Sequence, residues 1–164
     1  MPLRKAMSHF ATGVVVLTVG GRHVHGMTAN AITSVALDPP LVLCCIGHSA
    51  VMHDKMLDGG HFGVSVLSAG QHEAARHFAD KERPLGPGQF DGVPTLPGTL
   101  TGAPLLAGAL AWLECRITDT HVHGDHTIFL GHVLGAYAGS GRDNARALLF
   151  CTGHFAETPG TEAV

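Results

Sequence analysis

Apolar and polar positions change over along this chain in short stretches, and β-branched residues crowd many of them. Val14 to Val19 is rich in β-branched side chains and is closed by Gly20-Gly21, which predicts a strand and a turn. Val24 to Thr28 predicts the return strand. Ala29 to Leu37 alternates too weakly to fix its type. Asp38-Pro39-Pro40 stops any helix and limits strand pairing. Leu41 to Ile46 is continuously apolar, as in a strand buried on both sides. Phe62 to Leu67 reads as a strand, and Leu105 to Ile117 as the longest one. Along it Leu110, Trp112, Glu114 and Arg116 alternate with Ala111, Leu113, Cys115 and Ile117, and the second, uniformly apolar set is expected to face the core. Thr127 to Tyr137 and Ala147 to Cys151 predict the last strands.

Helical signals are fewer. Leu3 to Phe10 suits a short amphipathic helix, and Val51 to Leu57 suits another that ends at Gly59-Gly60. Ser68 with Gln71 three residues later forms a capping box, opening a helix to about Ala79. Asp80 to Thr101 is rich in Pro and Gly and reads as a long irregular loop, with a loose tail after Phe155. The tally is six or seven strands and two or three short helices without strand–helix–strand repetition. That favours an antiparallel barrel over a doubly wound sheet.

Length and composition narrow the class. With 164 residues, 45% of them apolar and 14% charged, the chain suits one folded domain over 1–164, with its core at about 8–155. A net charge of −3 without a basic stripe argues against a nucleic-acid partner. Arg4 and Lys5 precede the apolar stretch Phe10 to Val19, but no small-residue cleavage site follows, so a first strand is the better reading. No run approaches the roughly 18 apolar residues of a membrane helix. Cys44, Cys45, Cys115 and Cys151 sit in apolar runs without a C-x-x-C, which fits reduced thiols and a cytoplasmic protein. His121-x-His123, His23-x-His25 and the nearby His126 invite a metal reading. No acidic or Cys partner stands at ligand spacing, and no metal is expected.

Six blocks then resemble one family in order. They are Phe10-Ala11-Thr12-Gly13-Val14-Val15-Val16-Leu17-Thr18, the stretch HGMTANAITSVALDPPLVLCCI from His25, and FGVSVLS from Phe62 with Gln71 and His77-Phe78-Ala79. Gly102-x-Pro104-Leu105 with Leu113-Glu114-Cys115 follows, then Gly124-Asp125-His126-x-Ile128, then Leu148-Leu149-Phe150 with Gly153 and Phe155. The chain resembles the short-chain flavin reductases, the reductase components of two-component flavin monooxygenases. The resemblance implies a mainly β, split β-barrel of six to seven antiparallel Greek-key strands with two or three short flanking helices. It further implies a homodimer, hydride transfer from NADH or NADPH to FMN or FAD, and a partner monooxygenase that receives the reduced flavin. A flavin-retaining protein or a flavin enzyme acting on an organic substrate is the alternative on the same barrel.

Within that resemblance, a flavin needs an apolar slot, hydrogen bonds at its polar edge and a phosphate anchor. Thr28, Ala29, Asn30 and Ala31 suit the first two, since small side chains let a ring approach the backbone N–H groups. Ala31 stands where the family more often has Ser, so a backbone contact is the one that survives there. Cys45 and Ile46 end the next strand beside this seat. Ser49 and Ala50 open the following helix, where backbone N–H groups and His48 suit a phosphate, or where Ser49 merely caps the helix. Phe78 is either a stacking group beside the flavin or part of the core, and Lys81 and Arg83 either reach the phosphate or the pyridine nucleotide or, as the simpler reading, are solvated. Asp125 and His126 are the candidate nicotinamide contacts, with His126 the catalytic candidate. It acts by positioning, because hydride donor and acceptor must come within about 3–3.5 Å.

Overall fold

The computed structural model describes residues 2–139 and 146–159. Its three helices are α1 (Pro2–Ser8), α2 (Val51–Gly59) and α3 (His72–Ala79). The strands begin with β1 (Thr12–Gly13), β2 (Val15–Val19), β3 (His25–Ala29), β4 (Ile32–Leu37), β5 (Pro40–Gly47) and β6 (His61–Val66). They continue with β7 (Thr95–Pro97), β8 (Pro104–Leu106), β9 (Ala111–His123), β10 (His126–Ala138), β11 (Leu148–Cys151) and β12 (His154–Glu157).

Seven strands form one antiparallel sheet in the order β3-β2-β6-β9-β10-β5-β4. Its two edge strands, β3 and β4, are consecutive in the chain and separated only by Asn30 and Ala31. Laid flat, six inter-strand spacings of about 4.8 Å would put those edges about 29 Å apart. Three residue steps span at most about 11 Å. The sheet therefore curls until its edges meet, and the join is a seam that no β3–β4 ladder closes. This is the mainly β split barrel with short flanking helices that the strand pattern and the resemblance predict.

Apolar alternation explains two cores. Inside the barrel lie Val15, Leu17, Cys44, Ile46, Phe62, Val64, Cys115 and Phe129, capped by Met52 and Met56 of α2. Outside it, Val14 and Val16 pack with Leu67, Ala75, Phe78, Leu106 and Leu148 beneath α3 and the small β1-β11-β12 sheet. All five residues of β2 are buried. The continuous apolar run of β5 differs: only its alternate residues Val42, Cys44 and Ile46 are buried. Leu43 and Cys45 instead face a cleft. The strand buried on both sides is thus β2 and not β5.

Other departures have local causes. The long strand from Leu105 is broken, because Gly108 at φ +81° turns the chain between β8 and β9. Glu114, on the face expected to be polar and outward, is 1% exposed. The 98–102 turn folds over it, and its carboxylate accepts from the N–H groups of Leu100 and Thr101 and from the Thr101 hydroxyl at 2.8–2.9 Å. The Ser68–Gln71 box is present, but it opens a single tight turn at Ala69–Gln71 before α3 begins. The 80–101 segment contains a short helical turn at Gly86–Phe90 and β7. Order also continues past Phe155, since β12 pairs with β11 as far as Glu157. Residues 160–164 of the predicted loose tail lie outside the described residues.

Candidate active site at the barrel seam

A cleft of about 770 Å³ opens at the seam. Asn30 to Ser34 form one wall, Leu43 and Cys45 a second, and Val15, Val64, Val66 and Leu113 the floor. Met7 and Phe10 to Gly13 reach over from the N-terminal segment. The cleft is thus largely apolar, with a polar strip at the link. The carbonyl of Ala31 accepts from the Cys45 N–H at 3.0 Å. Among the described residues, the N–H groups of Asn30 and Ala31 donate to no backbone acceptor. The seam is the reason: residues between two edge strands have no ladder to join. A planar ligand with acceptors on one edge fits donors placed this way.

Thr28 and Ala29 stand differently. The Thr28 hydroxyl donates to the Ala75 carbonyl at 2.7 Å, which ties β3 to α3. Ala29 packs against the inner core. Gly26, earlier on β3, lies so close to Phe78 that a Cβ there would meet its ring at 2.6 Å. Phe78 is fully buried against Gly26 and Phe90. Its ring belongs to the outer core, and this corrects the expectation that it stacks on a ligand. Ile46 is likewise buried, so its side chain also serves the core. Ser49 does not cap α2; the N-cap is Ala50, whose side chain has no acceptor. Lys81 is exposed. Arg83, for which a solvated role was the simpler expectation, folds back onto β3. Its guanidinium donates to the Gly26 carbonyl and to His25 Nε2.

His126 enters from the β9–β10 hairpin, a two-residue turn with Gly124 at φ +60° in the first central position. The ladder sets His126 opposite Gly47 and Ile128 opposite Cys45. Side chains alternate along a strand, so His126 shares the sheet face of Cys45, two residues and about 7 Å further on. Its Nδ1 lies 2.7 Å from Asp125 Oδ1. That side-chain hydrogen bond is the main cause holding the Asp125 carboxyl below its usual range. It also leaves His126 Nε2 as the free ring nitrogen. On the opposite face, the buried hydroxyl of Thr127 lies 3.1 Å from His48 Nε2 and 2.9 Å from His53 Nε2. The His48 N–H donates to the Asp125 carbonyl at 2.9 Å. The hairpin is therefore braced from behind by two imidazoles.

The structure brings Asn30, Ala31 and Cys45 together in the cleft, while His126 lies outside its lining, two residues beyond Cys45 on the same sheet face. Sequence reasoning missed the contribution of Met7 and Phe10, which join the cleft through tertiary folding; their exposure, 55% and 66%, is the only local sign. It also missed His53, whose partner is 74 residues away. Burial pushes the Cys44 and Cys115 thiols up to about 12, so both are inert, while Cys45 lines the cleft.

A model of the flavin reductase like domain matches residues 7–159. The chain belongs to the flavin reductase family. An NADH-dependent FAD reductase of Streptomyces globisporus is 53% identical over 153 residues, covering 93% of this chain and 82% of the relative. BorF, the flavin reductase component of a bacterial two-component tryptophan halogenase, superposes with a TM-score of 0.91 at 48% identity and covers 98% of both chains. The styrene monooxygenase flavin reductase of Pseudomonas putida S12 follows at a TM-score of 0.83 and 33% identity, over 99% of this chain and 100% of that one. In family terms the seam cleft and the Gly124-Asp125-His126 hairpin stand within the matched residues. Among the described residues, no helix is long and apolar enough to cross a membrane.

Proposed function

We propose that this chain is an NADH-dependent flavin reductase that passes hydride from a nicotinamide to FAD or FMN and supplies the reduced flavin to a partner monooxygenase. The observation that carries the reading is the seam itself: free N–H donors at Asn30 and Ala31 beside an apolar slot, with His126 on the same sheet face. When bound, a flavin supplies a two-electron acceptor that the side chains lack. Asn30 and Ala31 would hold its polar edge by backbone N–H groups, and Cys45 would border the ring. Ser49, Ala50 and the start of α2 would take the phosphate. His126, fixed by Asp125, would orient the nicotinamide.

Met7 and Phe10 at the cleft are exposed, as are Leu3 of α1 and Val35 and Leu37 of β4, and a second copy of the chain is their proposed cover, giving a homodimer. Four free thiols support a cytoplasmic setting. The test is loss of NADH absorbance when purified protein is mixed with FAD, FMN or riboflavin. Turnover with at least one flavin is the expected result, and no oxidation above background with any of them overturns the reading. Flavin lost on desalting is expected of a protein that hands it on, whereas retention favours a flavin-holding protein.

A further inference from the structure

The tip of the β9–β10 hairpin is exposed from His121 to His126, and Thr127 is the first buried residue behind it. Among the described residues, its hydroxyl has two hydrogen-bond partners, the Nε2 atoms of His48 and His53. A hydroxyl has a single proton, so it donates to one ring and accepts from the other. His53, in the first turn of α2, sets the direction. Its Nδ1 lies 3.1 Å from Asp54 Oδ1. A carboxylate only accepts, so Nδ1 carries the hydrogen, and in neutral His53 the Nε2 atom holds the lone pair. Thr127 then donates to His53 and accepts from His48. One directed chain runs His48, Thr127, His53, Asp54, with the two imidazoles in opposite tautomers.

This chain ties the exposed tip to the core. Met52 and Met56 anchor α2 inside the barrel, and the His53 ring meets Phe129 edge-on at 5.6 Å between centroids. At the other end, the His48 backbone N–H donates to the Asp125 carbonyl. His126 stands opposite Gly47, where a Cβ would lie 3.5 Å from His126 Nε2. Residues 47 and 48 therefore touch both Asp125 and His126, while Thr127 and His53 hold His48 in place.

We infer that His53 is a positioning residue for hydride transfer: through Thr127 and His48 it fixes the turn that carries His126. The inference rests on the nicotinamide role proposed above for that hairpin. NMR of isotope-labelled histidine in the wild-type chain, in mildly alkaline buffer, should show the hydrogen on Nδ1 in His53 and on Nε2 in His48. Like tautomers overturn the chain. Thr127→Val removes the hydroxyl, and His53→Phe keeps a ring against Phe129. Each should raise KM for NADH about fivefold and leave the fluorescence Kd for FAD within about twofold. Thr127→Ser, which keeps the hydroxyl, should stay within about twofold of wild type in both. In a His126→Ala background, Thr127→Val should change KM by less than about twofold, because its effect passes through His126. An unchanged KM in Thr127→Val, a rise that persists in full without His126, or an equal loss of FAD affinity overturns the inference. If His126→Ala alone leaves KM unchanged, the nicotinamide role of the hairpin fails as well. A raised KM in His126→Ala beside a wild-type KM in Thr127→Val sinks the positioning role of His53 alone.

Discussion

The two ends of β3 are built to opposite rules. At the His25 end the backbone of Gly26 is tied down on both sides. The Gly26 N–H donates to Gln89 Oε1 at 2.7 Å, the Gly26 carbonyl accepts from Arg83, and Phe78 packs onto the strand where a side chain would stand. Five residues later, at Asn30 and Ala31, backbone donors are free and side chains are small. The contrast teaches that the site is held by its neighbour. Dense packing at one end fixes the strand, and the other end can then present unpaired groups without collapsing.

Breaking the packed end should have the largest effect. Phe78→Ala should cost about 3–5 kcal/mol, a fall of roughly 6–20 °C in Tm for a chain of this size. Phe78→Leu should keep most of the stability and all of the flavin affinity. Loss of flavin affinity at an unchanged Tm would instead put the ring in the site.

Acid should attack the same end. His25 has a folded pKa of about 4 against an unfolded value of 6.5, so between those values only the unfolded chain takes up the proton. The stability from neutral His25 is complete above about pH 6.5 and is lost as pH falls toward 4, by about 3 kcal/mol at most. Chemical denaturation at pH 7 and pH 4.5 should show this loss in the wild type, and a smaller one in His25→Gln.

At the open end the effects are on turnover. His126→Ala should raise KM for NADH about tenfold and leave Kd for flavin within twofold, with Tm unchanged. Equal loss of both would make the hairpin part of the flavin seat. The smallest effect sharpens the boundary between the two ends. Thr28→Val should cost about 1 kcal/mol and leave flavin affinity unaltered, because the Thr28 hydroxyl is engaged with Ala75. A large drop in flavin affinity would move the boundary one turn of the strand toward His25.

Much of this was legible in the residues. Val14 to Val19 announced a strand and Gly59-Gly60 a helix end, because each depends on local backbone chemistry. Asn30 and Ala31 were legible as a small-residue corner. That their N–H groups are free was not, since it follows from strand order and not from either residue. Phe78 and Glu114 were misplaced for a related reason. An aromatic or a carboxylate next to a motif looks the same in sequence whether it faces ligand, water or core, and only the 98–102 turn folding over Glu114 decides it. Cys45 and Cys44 differ by one position and have opposite surroundings, which the period of two predicts once a single neighbour is placed.

The seam has a consequence for how such a chain can change over time. Its two linking residues offer peptide N–H groups, which every amino acid except proline supplies. Substitution at Ala31 can therefore drift without erasing the donors, whereas one inserted or deleted residue would alter the barrel's circumference and the ligand seat together. Relatives should vary freely in the side chains of this link and hardly at all in its length.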